Sequence, residues 1–250
     1  MKLIPYLSFI LLYYLIRILI LTPQNGVFSI SFLNVGQGDS IVINIPKYGQ
    51  VMIDTGPDYQ ANYLSARESW FPICQIKSVI ITHYDSDHSG GLNRMSNYCK
   101  KLKNYNNIKN GDTLHFGDTY LHVLNPAVED ISREENDDSI VILLDKGSFE
   151  ALLTGDAGTA IVEELLPKIE AYTKDYVVNN GLDVYKVSHH GSKYNTNFDI
   201  IRRLKPTSCV IPVGKNNFGH PSKEVISYLK DSGCRVYRTD LEGSVTFYGR

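Results

Sequence analysis

The chain has 250 residues, 43% hydrophobic and 21% charged, with a formal net charge of −2. That length is enough for one large domain or two small ones with a real core. The composition is that of a globular protein, and the near-neutral charge excludes a global attraction to nucleic acid.

Leu3 to Leu21 is almost all Leu, Ile, Tyr and Phe, broken by Pro5, Ser8 and Arg17. About 20 helical residues span a bilayer core, so residues 1–22 read as a transmembrane anchor or an uncleaved signal. Leu19-Ile20-Leu21-Thr22-Pro23 offers no small residues for cleavage, which favours the anchor. A buried N-terminal helix is the alternative. Lys2 argues for the bulk of the chain outside the membrane and Arg17 for the reverse.

Residues 23–26 read as a linker and 27–250 as the folded domain. Strand-like runs occur at Val27–Leu33, Ser40–Ile45 and Val51–Ile53, separated by the turns Gly36-Gln37-Gly38-Asp39 and Pro46-Lys47-Tyr48-Gly49. Tyr59–Glu68 reads as a helix and Val79–Thr82 as a strand. Thr119–Leu124, Ser139–Leu144 and Ala151–Thr154 are further strands. Ala157–Ile169 has helical spacing, with Ile161, Leu165 and Leu166 on one side. Val184–Val187 and Cys209–Pro212 are strands. Ser222–Lys230 is a helix with Ser222 as cap and Glu224 in its first turn. Arg235–Tyr237 and Ser244–Tyr248 close the chain as strands. Strand blocks in both halves, each followed by helix, predict two sheets face to face with helices outside. The class is α/β.

Cys74, Cys99, Cys209 and Cys234 lack metal-ribbon spacing. Their even number permits disulfides in an oxidising compartment. Cys209 sits in the apolar stretch Cys209-Val210-Ile211 and reads as a buried free thiol. The basic clusters Lys100-Lys101-Leu102-Lys103 and Arg202-Arg203-Leu204-Lys205 read as solvated helix faces.

The chemistry concentrates in His83-Tyr84-Asp85-Ser86-Asp87-His88-Ser89-Gly90-Gly91, directly after a strand. His83 and Asp85 are two apart and point to one side of an extended chain. Asp87 and His88 follow where the chain turns toward a helix near Gly91. One loop thus presents two ligand pairs with the donors of hydrolytic Zn or Mn sites. Asp156 follows the strand Ala151–Thr154 beside Gly155, placed to bridge two ions. His189 and His190 follow the strand Val184–Val187; adjacent residues at a strand end face opposite ways, so only one is an easy ligand. Asp39 and Asp54 are expected to orient the metal loop from behind. Asn136-Asp137-Asp138-Ser139 would line the cleft. His220 is a further ligand or a proton donor. His115 and His122 alternate with apolar residues on strands and are not expected to be ligands.

Taken in order, Phe32–Ser40, Ile53-Asp54-Thr55-Gly56, Thr82–Gly91, Leu153-Thr154-Gly155-Asp156 and His189-His190-Gly191-Ser192 resemble the metallo-β-lactamase superfamily, most of all its ComEC-type competence branch. The resemblance spans about Val27 to Tyr248. It implies an αββα sandwich with two divalent ions, Zn or Mn, at one edge. His83 and Asp85 would hold one ion, Asp87, His88 and one of His189/His190 the other, with Asp156 between them. In the superfamily's common motif the position of Asp85 is a His; the ComEC-type branch has Asp, as here. The usual further His between the first loop and the bridging Asp has no clear match. ComEC-type proteins also carry a multi-helix channel, whereas this chain offers at most one span.

The expected function is a metal-dependent phosphodiesterase or nuclease linked to DNA uptake, acting through metal-activated hydroxide. Asp87, His189 and His220 form the candidate catalytic set, with His220 or the second His of the pair protonating the leaving group. The alternatives are a small-ester hydrolase, such as a phosphocholine esterase or a lactamase-like enzyme, and a membrane-tethered binding module with a degenerate site. Expected partners are a phosphodiester substrate such as DNA, the membrane and a separate channel protein. The hydrolase domain is expected on the extracytoplasmic side.

Overall fold

The computed structural model describes Tyr13 and residues 26–58, 74–126, 135–172 and 182–249. Apart from Tyr13, the expected anchor lies outside these residues, as does the helix expected at Tyr59–Glu68. Among the described residues no helix is long and apolar enough to cross a membrane.

Among the described residues thirteen strands form two mixed sheets. The first holds β1 (Ser29–Phe32), β2 (Ile41–Ile45), β3 (Gly49–Ile53), β4 (Ile76–Ile80), β5 (Lys103–Asn104) and β13 (Val245–Tyr248), ordered β13-β1-β2-β3-β4-β5. The second holds β6 (Thr113–Phe116), β7 (Thr119–Asn125), β8 (Val141–Lys146), β9 (Phe149–Leu153), β10 (Val184–Lys186), β11 (Ser208–Ile211) and β12 (Arg235–Arg238), ordered β12-β11-β10-β9-β8-β7-β6. In the second sheet β9 to β12 run parallel, while β6 to β9 form an antiparallel meander.

Alternation decides which way each sheet faces. In β2, Ile41, Ile43 and Ile45 are buried in a cluster with Leu121, Ile142, Leu144, Ala151 and Leu153 of the other sheet. Leu124, Leu143 and Leu152 belong to a separate cluster on the outer face of the second sheet. There they pack on α3 (Thr159–Tyr172), α4 (Phe198–Leu204) and α5 (Lys223–Asp231). Outside the first sheet, Met52, Val79 and Ile81 pack on Met95 of α2 (Leu92–Tyr98). The layers therefore run helix, sheet, sheet, helix. The described residues also include the single-turn α-helices α1 (Ser86–Ser89) and α6 (Thr239–Glu242).

Several expectations are corrected. The strand feeding the metal loop is Ile76–Ile80, so Thr82 and His83 lie beyond the ladder. Lys100–Lys103 lie on a turn and on β5 rather than on a helix. Arg202 and Arg203 do lie on a helix, paired with Asp199 and Glu170. Cys209 is not a free thiol. It bonds Cys234 with Cα atoms 6.0 Å apart, and Cys74 bonds Cys99 at 5.3 Å. An apolar setting suits a disulfide as well as a thiol, and the pairing partner is brought in by the fold.

Each bridge closes a separation of 25 residues, which chain entropy converts to about 3 kcal/mol per bridge. Urea unfolding with and without a reductant should show a loss of that order per bridge. An unchanged midpoint, with reduction verified by thiol counting, would count against it.

Candidate metal centre

The site forms where strands of both sheets end. The β1–β2 turn brings Asp39, the end of β3 brings Asp54 and the segment after β4 brings His83 to His88. From the second sheet come Asp156 after β9, Lys186 within β10, and His189 and His190 after it. Residues just past parallel strand ends are free of the ladder and can converge on a ligand. Gly38 allows the approach: its φ is +132°, and a Cβ there would collide with the Asp87 carbonyl oxygen. The backbone N–H of Asp39 donates to that oxygen at 3.1 Å.

Three imidazoles are turned with Nε2 inward. His88 Nδ1 donates to Asp54 Oδ2 at 2.8 Å. Asp54 also accepts from the Thr82 N–H and hydroxyl, both at 2.7 Å. The Thr82 hydroxyl proton is thereby committed, so its oxygen accepts from His83 Nδ1 at 3.0 Å. His190 Nδ1 donates to the Pro212 carbonyl at 2.8 Å. This outward anchoring of one ring nitrogen is what metal-binding histidines need.

Two ligand groupings result: His83, His88 and Asp156, and Asp87, His88 and His190. His83 Nε2 and His88 Nε2 are buried without a hydrogen bond among the described residues, although Asp85 and Asp156 carboxylate oxygens lie 3.6 and 3.4 Å away. Buried bare nitrogens among carboxylates are a costly arrangement that a divalent cation would relieve. The donor set, imidazole nitrogen and carboxylate oxygen, fits two such ions. A third grouping, Asp39, Asp54 and His88, is already consumed. Asp54 holds Thr82 and His88 Nδ1, and Asp39 lies 2.6 Å from Lys186 Nζ.

Asp85 stands at the rim, its side chain 42% exposed and 3.6 Å from His83 Nε2. His189 and His190 depart from expectation because they are not on a strand. Both have left-handed backbone, φ 47° and 52°, so the alternation rule does not apply. Both Nε2 atoms approach Asp156 Oδ2, at 3.8 and 3.7 Å. Among the described residues His220 forms no ion pair with a carboxylate; its ring lies 5.5 Å from that of His189. Asn136 Nδ2 lies 3.5 Å from His189 Nδ1, and Ser139 Oγ lies 3.4 Å from His83 Nδ1 and accepts the Asp156 N–H. The Asn136–Ser139 segment thus lines the cleft. His115 and His122, on the β6–β7 hairpin, stack with Tyr120 of the same hairpin and with Tyr172 at the end of α3. Lys186 escaped the sequence reading; the available signal was a lone charge in the apolar run Val184-Tyr185-Lys186-Val187.

The electrostatics follow from crowding. Burial opposes the ionised form of Asp156, but His88, His190 and Lys186 outweigh it and hold its pKa well below the ordinary value. Asp87 is likewise pulled against burial, chiefly by His190 and His88, to about 2. His88 and His190 are raised, burial being overcome by Asp156 with Asp54 and Asp39 for His88, and by Asp156 with Asp87 for His190. Burial and His88 lower His83. Burial lowers His189 despite Asp156, and burial with His189 and His190 lowers His220. Both shifts favour the neutral ring.

Comparison with known proteins agrees with this geometry. The description "Metallo-beta-lactamase superfamily" matches residues 33–106. ComE operon protein 3 of Bacillus subtilis is 29% identical over 87% of this chain and 32% of its own length. Recombination protein 2 of Haemophilus influenzae is 29% identical over 85% of this chain and 28% of its own. The chain thus spans about a third of the length of these relatives. Among solved structures, the metallo-β-lactamase fold protein YhfI from Bacillus subtilis superposes with a TM-score of 0.59. It is 10% identical over 89% of this chain and 100% of that one, a likeness of fold.

Two outcomes are expected. His88 and His190 carry raised pKa values without metal, so their protonation stabilises the metal-free fold below about pH 6.5. That contribution is lost as pH rises through the higher folded values. A divalent ion must displace those protons, so Mn2+ added near pH 7 in weak buffer should release protons and bind more tightly as pH rises. Binding without proton release would contradict this. Asp54→Asn should weaken Mn2+ binding about 10- to 100-fold by freeing the His88 ring, measured by calorimetry; wild-type affinity would show that ring orientation is set elsewhere.

Proposed function

We propose that this chain, which carries a metallo-β-lactamase superfamily domain, is a metal-dependent phosphodiesterase acting on nucleic acid strands. The observation that carries the reading is Asp156, with Oδ1 3.4 Å from His88 Nε2 and Oδ2 3.7 Å from His190 Nε2. One carboxylate thus lies between two ligand groupings. Divalent ions held there would supply Lewis acidity and an activated water for attack on phosphorus.

The chain's own residues do the rest. Asp54, Thr82 and Pro212 fix the three imidazoles. Asp85 keeps the first grouping richer in oxygen and open to solvent. His189 and His220, whose shifts favour the neutral ring, take up and pass on protons at the rim.

The substrate class rests on the rim. Tyr84, Tyr194 and Phe218 are 62%, 75% and 74% exposed. Each lies in a loop that carries site residues: Tyr84 between His83 and Asp85, Tyr194 after His190, and Phe218 before His220. The Phe218 ring stacks with His220 at 6.0 Å, and Lys193 Nζ sits 4.8 Å over the Tyr194 ring. Exposed rings with an adjacent cation favour stacked bases and their phosphates, each base contributing about 1–3 kcal/mol. A small ester would have no use for such rings. Two disulfides support a compartment outside the cytoplasm, with residues 1–22 as the proposed anchor. The likeness to competence proteins favours a channel protein as partner in DNA uptake.

The test is cleavage of end-labelled single- and double-stranded DNA by the Mn2+- or Zn2+-loaded protein. Cleavage should need metal and should fall at least about a hundredfold in Asp87→Ala and Asp156→Ala. Metal-bound protein that leaves DNA intact would overturn the nucleic-acid reading. Unchanged cleavage in both variants would overturn the site.

A further inference from the structure

Lys186 is fully buried in β10. An unpaired buried ammonium is costly, and this one meets three groups: it donates to the Gly155 carbonyl at 2.5 Å and to Asp156 Oδ1 at 3.3 Å, and it forms an ion pair with Asp39 Oδ2 at 2.6 Å. Two of the three lie on the β9–α3 loop, on successive residues, so the ammonium holds that loop and its carboxylate together. The third is Asp39, reached from the opposite sheet.

We propose that Lys186 is a positioning residue that keeps Asp156 spread across both ligand groupings and retires Asp39 from the ligand set. The inference rests on the metal-dependent reading above. With Oδ1 tied to Lys186, the carboxylate keeps that oxygen toward His88 and presents Oδ2 to His189 and His190, at 3.8 and 3.7 Å. Freed from Lys186, Asp156 can rotate and give both oxygens to a single ion. Asp39 would then be a buried carboxylate without its cation, 3.8 Å from His88 Nδ1 and 3.5 Å from His190 Nδ1. It would compete for the groups that orient the two imidazoles.

The full chain is titrated with Mn2+, and bound ions and their magnetic coupling are read by electron paramagnetic resonance, independently of cleavage. Wild type should bind two coupled ions. Lys186→Met should bind one and lose the coupled signal. Lys186→Met combined with Asp39→Asn removes the stranded charge, so it guards against simple misfolding, and it too should bind one ion. Asp39→Asn alone keeps the tether and should retain two coupled ions. Two coupled ions in the folded double variant would overturn the proposal, because Lys186 would then only neutralise Asp39. Loss of the second ion in Asp39→Asn alone would also overturn it. Fewer than two ions in wild type would instead overturn the two-metal reading itself.

Discussion

Buried negative charge is the constraint on which the rest of this structure depends. Asp39, Asp54 and Asp156 are at most 3% exposed and converge on one edge of the sandwich. Carboxylates removed from water are tolerated only when countercharge and hydrogen-bond donors come with them. The fold meets this by ending strands of both sheets at the same place. The first sheet contributes Thr82, His83 and His88, and the second contributes Lys186 and His190. Neither sheet alone could satisfy the acids, so the inter-sheet core of Ile43, Ile142, Leu153 and their neighbours also sets the register of the charges.

The polarity of that arrangement matters as much as its sum. Each imidazole has one nitrogen committed to a group behind it, and the groups behind are of different kinds: a carboxylate for His88, a hydroxyl for His83 and a main-chain carbonyl for His190. The carboxylate-backed and carbonyl-backed rings have raised pKa values, and the hydroxyl-backed ring is the one whose pKa falls. One edge therefore holds imidazoles of opposite shift, with His88 the member common to both ligand groupings.

Much of this was legible in the sequence because the acids and imidazoles cluster within a few residues after short apolar runs. The layered class followed from the distribution of strands, and the outward roles of Asp39 and Asp54 from their places beside glycine turns. What was not legible depended on contacts between distant segments. Lys186 looks like an ordinary strand residue until Asp39, 147 positions earlier in the chain, is folded onto it. Cys209 looks like a core thiol until β11 and the turn before β12 are adjacent. The alternation argument for His189 and His190 did not apply, because it was extended beyond the strand's last ladder residue into left-handed backbone, although of the two only His190 joins a ligand grouping among the described residues. Helix α4 was read only at its basic end, Arg202-Arg203-Leu204, because its seven residues, Phe198–Leu204, are short. Its packing on α3 decides its structure more than its own pattern does.

The two disulfides do more than join helices to sheets. The covalent ring closed by Cys74 and Cys99 contains the whole segment from His83 to His88, and the ring closed by Cys209 and Cys234 contains Phe218 and His220. A protease cut at the exposed Tyr84 or Phe218 would therefore open a ring without releasing either piece. The strands flanking the cut would stay paired, and the severed ends would remain tethered beside the carboxylates they serve. For loops that project into solvent, this is a form of durability that hydrophobic packing alone cannot provide.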